Sequence, residues 1–135
     1  PLIEWVLNAA RSFVFSTGLA PPAASAAERA LELAPERRDP LWNRVESLRE
    51  GLTAMGYEVM GETHILPVFV GTRADAVALD ERLRDAGIVA PAIRPPTVPE
   101  GTSRIRVAPQ STHTEADIDR CLAALEAAGE EVGLL

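Results

Sequence analysis

The sequence predicts an α+β fold, with a small antiparallel or mixed sheet backed by helices. Three observations carry this. Apolar residues recur at helical spacing in several separate runs. Three short stretches, "HILPVFVG", "IVAPAIR" and "RIRVAP", read as extended. The order is helix, helix, helix, strand, helix, strand, strand, helix, which suits a small sheet with helices on one face. At 135 residues and 47% hydrophobic content, the chain is long enough to bury a core as one small domain.

The run "PLIEWVLNAARSF" places Leu2, Ile3, Val6, Leu7 and Ala10 on one helical stripe. "VFST" follows as a short extended piece. Gly18 interrupts it, and Pro21-Pro22 suits the start of a helix, where a missing N–H costs nothing. "AASAAERALELA" forms that helix, and its alanine-rich face reads as core. Pro35 and Pro40 are expected to separate it from the next helix. There Leu41, Val45, Leu48, Leu52 and Met55 form an amphipathic stripe, with Gly56 as the C-cap.

"HILPVFVG" then reads as a buried strand, and "RADAVALDERLRDAG" as a helix stopped by Gly87. In "IVAPAIR", Pro91 points to an edge or a bulge. "RIRV" alternates, so Arg104 and Arg106 share one face while Ile105 and Val107 face the core. Thr114 with Asp117 resembles an N-cap and its first-turn acid. Ile118, Cys121, Leu122 and Leu125 form the buried stripe of the last helix, and "EEVGLL" is expected to fray.

Composition narrows the function classes. The net charge of −7 disfavours a broad nucleic-acid interface, which needs a basic face. No apolar run reaches the roughly 18–20 residues of a membrane span. The start lacks the basic-then-apolar order of a signal peptide. A single cysteine, Cys121, allows no intrachain disulfide. The expected setting is the cytoplasm. All 13 basic residues are arginine, and there is no lysine.

The most informative stretch is "AIRPPTVPEGTSRIRV". Its prolines stiffen a loop, which lowers the entropy lost on binding. Arginine suits carboxylates because its planar fork donates two parallel hydrogen bonds. Arg94, Arg104 and Arg106 therefore read either as a carboxylate or phosphate clamp or as surface ion pairs, and spacing alone leaves both open. His113 reads as structural beside a helix start. His64 has no second ligand at metal-binding spacing, so no metal is expected. Cys121 reads as core.

"SFVFSTGLAPP", "AIRPPTVPEGTSRIRV" and "THTEADIDRCLAAL" together resemble the C-terminal part of the α-oxoamine synthases. These are fold-type I enzymes dependent on pyridoxal phosphate (PLP), and the proline–arginine run is most like that of the 8-amino-7-oxononanoate synthases. The resemblance implies that an amino acid held on PLP loses its α-proton and attacks an acyl-CoA, with loss of CoA and carbon dioxide. It implies substrate-binding roles for Arg106, Thr97 and Arg94, with Arg106 on the amino-acid carboxylate. It also implies cofactor-binding roles for Ser16 and Thr17, toward the PLP phosphate of a neighbouring subunit. Residues 1–20 are then a segment of the large PLP domain and subunit interface, and residues 21–135 the C-terminal small domain of a homodimer. The family's Schiff-base lysine has no counterpart here, so an upstream large domain is expected as partner and the chain alone should be inactive. Glycine C-acetyltransferase is the alternative within the family. A stand-alone small-molecule-binding domain is the alternative outside it.

Overall fold

The computed structural model describes residues 1–14 and 18–135. Its elements are α1 (Leu2–Ala9), α2 (Arg11–Val14), α3 (Pro21–Met55), β1 (Leu66–Gly71), α4 (Arg73–Asp85), β2 (Ala92–Ile93), β3 (Ser103–Val107) and α5 (Glu115–Val132). The chain divides into two compact units, Pro1–Pro35 and Glu36–Leu135.

In the first unit, the expected single N-terminal helix is split. α1 ends at Ala9, Ala10 is extended (ψ 97°), and α2 restarts at Arg11. No residue of α1 is buried, so no tertiary packing holds a longer helix together. Asn8 donates its side-chain amide to the Glu4 carbonyl at 2.8 Å, a local bond typical of residues that favour helix ends. Val14, expected to be extended, belongs to α2, while Phe15, Ser16 and Thr17 lie outside the described residues.

Pro21 does open a helix, but α3 then runs 35 residues, straight across Pro35 and Pro40. The break expected there does not occur. An internal proline removes one hydrogen bond, whereas ending and restarting a helix leaves about four carbonyls and four N–H groups without helical partners. Ala34, Glu36, Arg37 and Arg38, all strong helix formers, surround Pro35, and Leu41 follows Pro40. The alanine face of residues 21–30, expected as core, is exposed.

The second unit holds the core. β1, β3 and β2 form an antiparallel sheet in that order, with β3 central and β2 a two-residue edge strand beside Pro91. One face alternates as expected. Leu66, Val68, Ile105 and Val107 are buried together with Leu79 and Leu83 of α4 and Ile118 and Leu125 of α5. Val45, Leu48 and Leu52 of α3 join the same cluster.

Helix ends follow local chemistry. Thr114 and Asp117 form a full capping box. Thr72 caps α4 in a similar way, its hydroxyl accepting from the Asp75 N–H at 3.1 Å. The C-terminal tail is ordered further than expected. α5 continues to Val132 and closes on Gly133 in the left-handed region (φ 78°), with Leu134 N–H bonded to the Gly129 carbonyl. Tyr57, 6% exposed, donates its hydroxyl to the Leu125 carbonyl at 2.8 Å. That hydroxyl lies where a side chain on Gly129 would begin, so the glycine opens α5 to the tyrosine.

Candidate functional site

β3 presents its arginines on the face of the sheet opposite the core. The register pairs Arg104 with Phe69 and Ile93, and Arg106 with Pro67. Paired residues share a face, so Pro67, Phe69, Ile93, Arg104 and Arg106 form one surface whose members are half-buried or exposed. The backbone of Arg106 is fixed by its N–H bond to the Pro91 carbonyl at 3.0 Å. Its flanking residues Ile105 (0% exposed) and Val107 (4%) are locked in the core.

The two strand arginines differ in occupation. Arg104 turns back on its own loop, donating Nε (3.0 Å) and Nη2 (2.9 Å) to the Thr102 carbonyl. Among the described residues, the Arg106 guanidinium has no hydrogen-bond or ion-pair partner, and its side chain is exposed. Of the two arginines on this face, one is engaged as a structural donor, and the other is available.

The loop between β2 and β3 is tightly turned. Thr97 N–H bonds to the Arg94 carbonyl at 3.0 Å, and Thr102 bonds to the Pro99 carbonyl through its N–H (3.2 Å) and hydroxyl (2.8 Å). Gly101 has φ 74°, which a side-chain-bearing residue there would resist. Pro95 is buried and Thr97 exposed. Arg94 is half-buried, with Nη1 at 3.4 Å from the Pro95 carbonyl. Since Ile93 pairs with Arg104 and the Pro91 carbonyl meets Arg106, Arg94 and Arg106 stand at opposite ends of the β2–β3 pairing. At a strand rise of about 3.3 Å, their backbones are roughly 10 Å apart. The structure thus places Arg94, Thr97 and Arg106 on one loop-and-strand unit but not on one point. Ser16 and Thr17 lie outside the described residues.

Periodicity gave no sign of a cleft of about 440 Å³ bordered by residues 87–90 and 107–110. It is lined by Ile88, Ala90, Val107, His113, Ile118 and Cys121, among others. His113 is structural here. Its Nδ1 accepts from the Gln110 N–H at 3.2 Å, and its carbonyl accepts from Arg44 Nε at 2.9 Å. Burial pushes the Cys121 thiol up, only partly opposed by Arg120, so the thiolate is disfavoured. Among the described residues, no helix is long and apolar enough to cross a membrane.

Residues 1–125 match the family Aminotransferase class I and II. The chain is 48% identical over 128 residues to the 8-amino-7-oxononanoate synthase of Anaeromyxobacter dehalogenans, covering 92% of this chain and 32% of that protein. It is 41% identical over 140 residues to the 8-amino-7-oxononanoate synthase of Geobacter metallireducens, covering 99% and 36%. Among solved structures, the serine palmitoyltransferase of Sphingomonas wittichii superposes with a TM-score of 0.81 at 31% identity, over 100% of this chain and 35% of that one. A PLP-bound serine palmitoyltransferase from S. paucimobilis gives a TM-score of 0.80 at 33% identity, over the same shares. The chain spans about a third of the length of the relatives it matches. Its small α+β unit has the fold found in these PLP-dependent transferases, and the chain belongs to the aminotransferase class I and II family.

Proposed function

We propose that this chain is the C-terminal, substrate-facing part of a PLP-dependent C-acyltransferase. The complete enzyme joins a pimeloyl thioester to L-alanine, with decarboxylation, and yields 8-amino-7-oxononanoate for biotin biosynthesis. Residues 1–20 belong to the large domain and subunit interface, and residues 21–135 form the small domain of a cytoplasmic homodimer. The observation that carries the reading is the Arg106 guanidinium, held on a rigid central strand and without a described partner. An exposed single guanidinium is ordinary. One fixed by a sheet ladder beside a proline-stiffened loop, in a chain similar to amino-acid acyltransferases, is suited to a substrate carboxylate.

The described residues do not themselves fit PLP. The chain has no lysine to attach it, and Ser16 and Thr17 lie outside the described part. Holding the cofactor is therefore mainly the task of an upstream domain, with Ser16 and Thr17 reaching the PLP phosphate of the neighbouring subunit, and the fragment by itself is inactive. In this division of labour, Arg106 holds the amino-acid carboxylate. Thr97 contacts substrate from the loop, and Arg94 takes a second carboxylate-side position. The exposed Leu2, Ile3, Trp5 and Leu7 of α1 supply an apolar surface for the large domain.

The test is to express the complete protein and measure CoA release from pimeloyl-CoA with alanine or glycine as co-substrate. Alanine-dependent release supports the proposal. Activity confined to glycine and acetyl-CoA points to glycine C-acetyltransferase. Binding without CoA release from any acyl-CoA leaves only a non-catalytic binding domain.

A further inference from the structure

We infer that Arg104 is a positioning residue: it fixes the Arg94–Thr102 loop through the Thr102 carbonyl, so that Thr97 and Arg94 are presented to substrate in one conformation. This rests on the proposed substrate role of the loop and adds how that loop is held. Bonds hold both ends of the loop. Two guanidinium N–H groups of Arg104 grip the Thr102 carbonyl at 2.9 and 3.0 Å. Thr102 in turn grips the Pro99 carbonyl twice, at 2.8 and 3.2 Å. Thr97 N–H closes the other end of the loop on the Arg94 carbonyl. Arg104 can serve as an anchor because its backbone is in the central strand, paired on both sides, to Phe69 and to Ile93. Charge-assisted hydrogen bonds are about twice as strong as neutral ones, and a fork adds direction. Pro95, Pro96 and Pro99 contribute no N–H, so the loop has few backbone donors of its own. A side-chain anchor from outside the loop then carries more of its order.

The experiment uses the complete protein and the variants Arg104→Met and Arg104→Lys. Methionine keeps an apolar stem between Phe69 and Ile93 but removes the fork, while lysine retains charge and one donor. Amide hydrogen exchange over residues 97–102 is followed without substrate. In parallel, KM is measured for the amino acid and for the acyl-CoA. We expect exchange in Arg104→Met to be faster by about tenfold in this segment, with α5 unchanged. The amino-acid KM should rise about fivefold, with kcat and the acyl-CoA KM nearly unchanged. Arg104→Lys should lie between wild type and Arg104→Met in both readouts.

Unchanged exchange with a raised KM overturns the inference, because Arg104 would then touch substrate directly. Faster exchange with an unchanged KM also overturns it, since the loop would not present substrate. If the wild-type protein turns over no amino acid, the proposed function fails; loop anchoring is still decided by exchange alone.

Discussion

Replacing Arg106 by alanine in the complete enzyme isolates the contribution of one guanidinium. The side chain is exposed, takes no part in the sheet ladder, and has no described partner. Its loss should therefore leave the fold intact, with β3 still held by Ile105 and Val107 in the core. If Arg106 forms a bidentate pair with a substrate carboxylate that is buried once the complete enzyme closes over it, removing it leaves that carboxylate unpaired at a loss of about 2–5 kcal/mol. Since ~1.4 kcal/mol is a factor of ten, kcat/KM for the amino acid should fall by roughly thirtyfold at the low end and by several thousandfold at the high end. Arg106→Lys should not restore it, because an ammonium cannot offer the planar fork. The assay is steady-state kinetics with the amino acid varied at saturating acyl-CoA, alongside a thermal melt. The melting temperature should not move. Near-normal kinetics for Arg106→Ala together with a crippled Arg104→Ala would refute the reasoning, because the available and engaged arginines would then have been exchanged.

Three further expectations concern stability. Gly129→Ala places a methyl group against the Tyr57 hydroxyl and should cost about 1–3 kcal/mol by overpacking, read from the denaturant midpoint; an unchanged midpoint would mean the helix and ring do not meet. Ser103 is fully buried and its hydroxyl has no hydrogen-bond partner among the described residues, so Ser103→Ala should be neutral or stabilising by up to about 1 kcal/mol, and a clear loss would reveal a further partner. Burial pushes the Tyr57 phenol from its ordinary 10.0 up to about 12. The unfolded chain then releases this proton first, so the contribution is complete below pH 10 and is lost as pH rises toward 12; Tyr57→Phe should flatten that alkaline decline in pH-dependent melts.

The capping box gives an acid-side counterpart. The Thr114 N–H, with the Thr114 hydroxyl second, holds the Asp117 carboxyl below its ordinary value. Its stabilising effect is present above the unfolded value and disappears as pH falls through the lower, folded one. Thr114→Ala should cost about 1 kcal/mol and weaken this acid sensitivity, measured by circular dichroism between neutral pH and pH 2. Equal acid sensitivity in the variant would assign it to other carboxylates.

The sequence by itself determined what depends on near neighbours along the chain. The alternation of "RIRV" put Arg106 outward and Ile105 inward, because strand side chains alternate whatever lies beyond them. Thr114 and Asp117 announced the start of α5 because both halves of a capping box lie within one turn. Gly56 and Gly87 marked helix ends through the positive φ that glycine tolerates, and Pro21 marked a start through its fixed φ. Tertiary structure decided what depends on residues distant in sequence or on a balance of competing local terms. Nothing near Gly129 in the chain foretold Tyr57, which comes from just beyond the end of α3 to fill the space left by a missing side chain. Whether Pro35 and Pro40 end a helix is a balance between one lost bond at each and a whole set of unpaired groups at a break, and here continuity won. Arg104 and Arg106 are indistinguishable in the alternating pattern. The tertiary structure shows how they differ: the loop's return brings the Thr102 carbonyl to the Arg104 guanidinium, while that of Arg106 has no partner among the described residues.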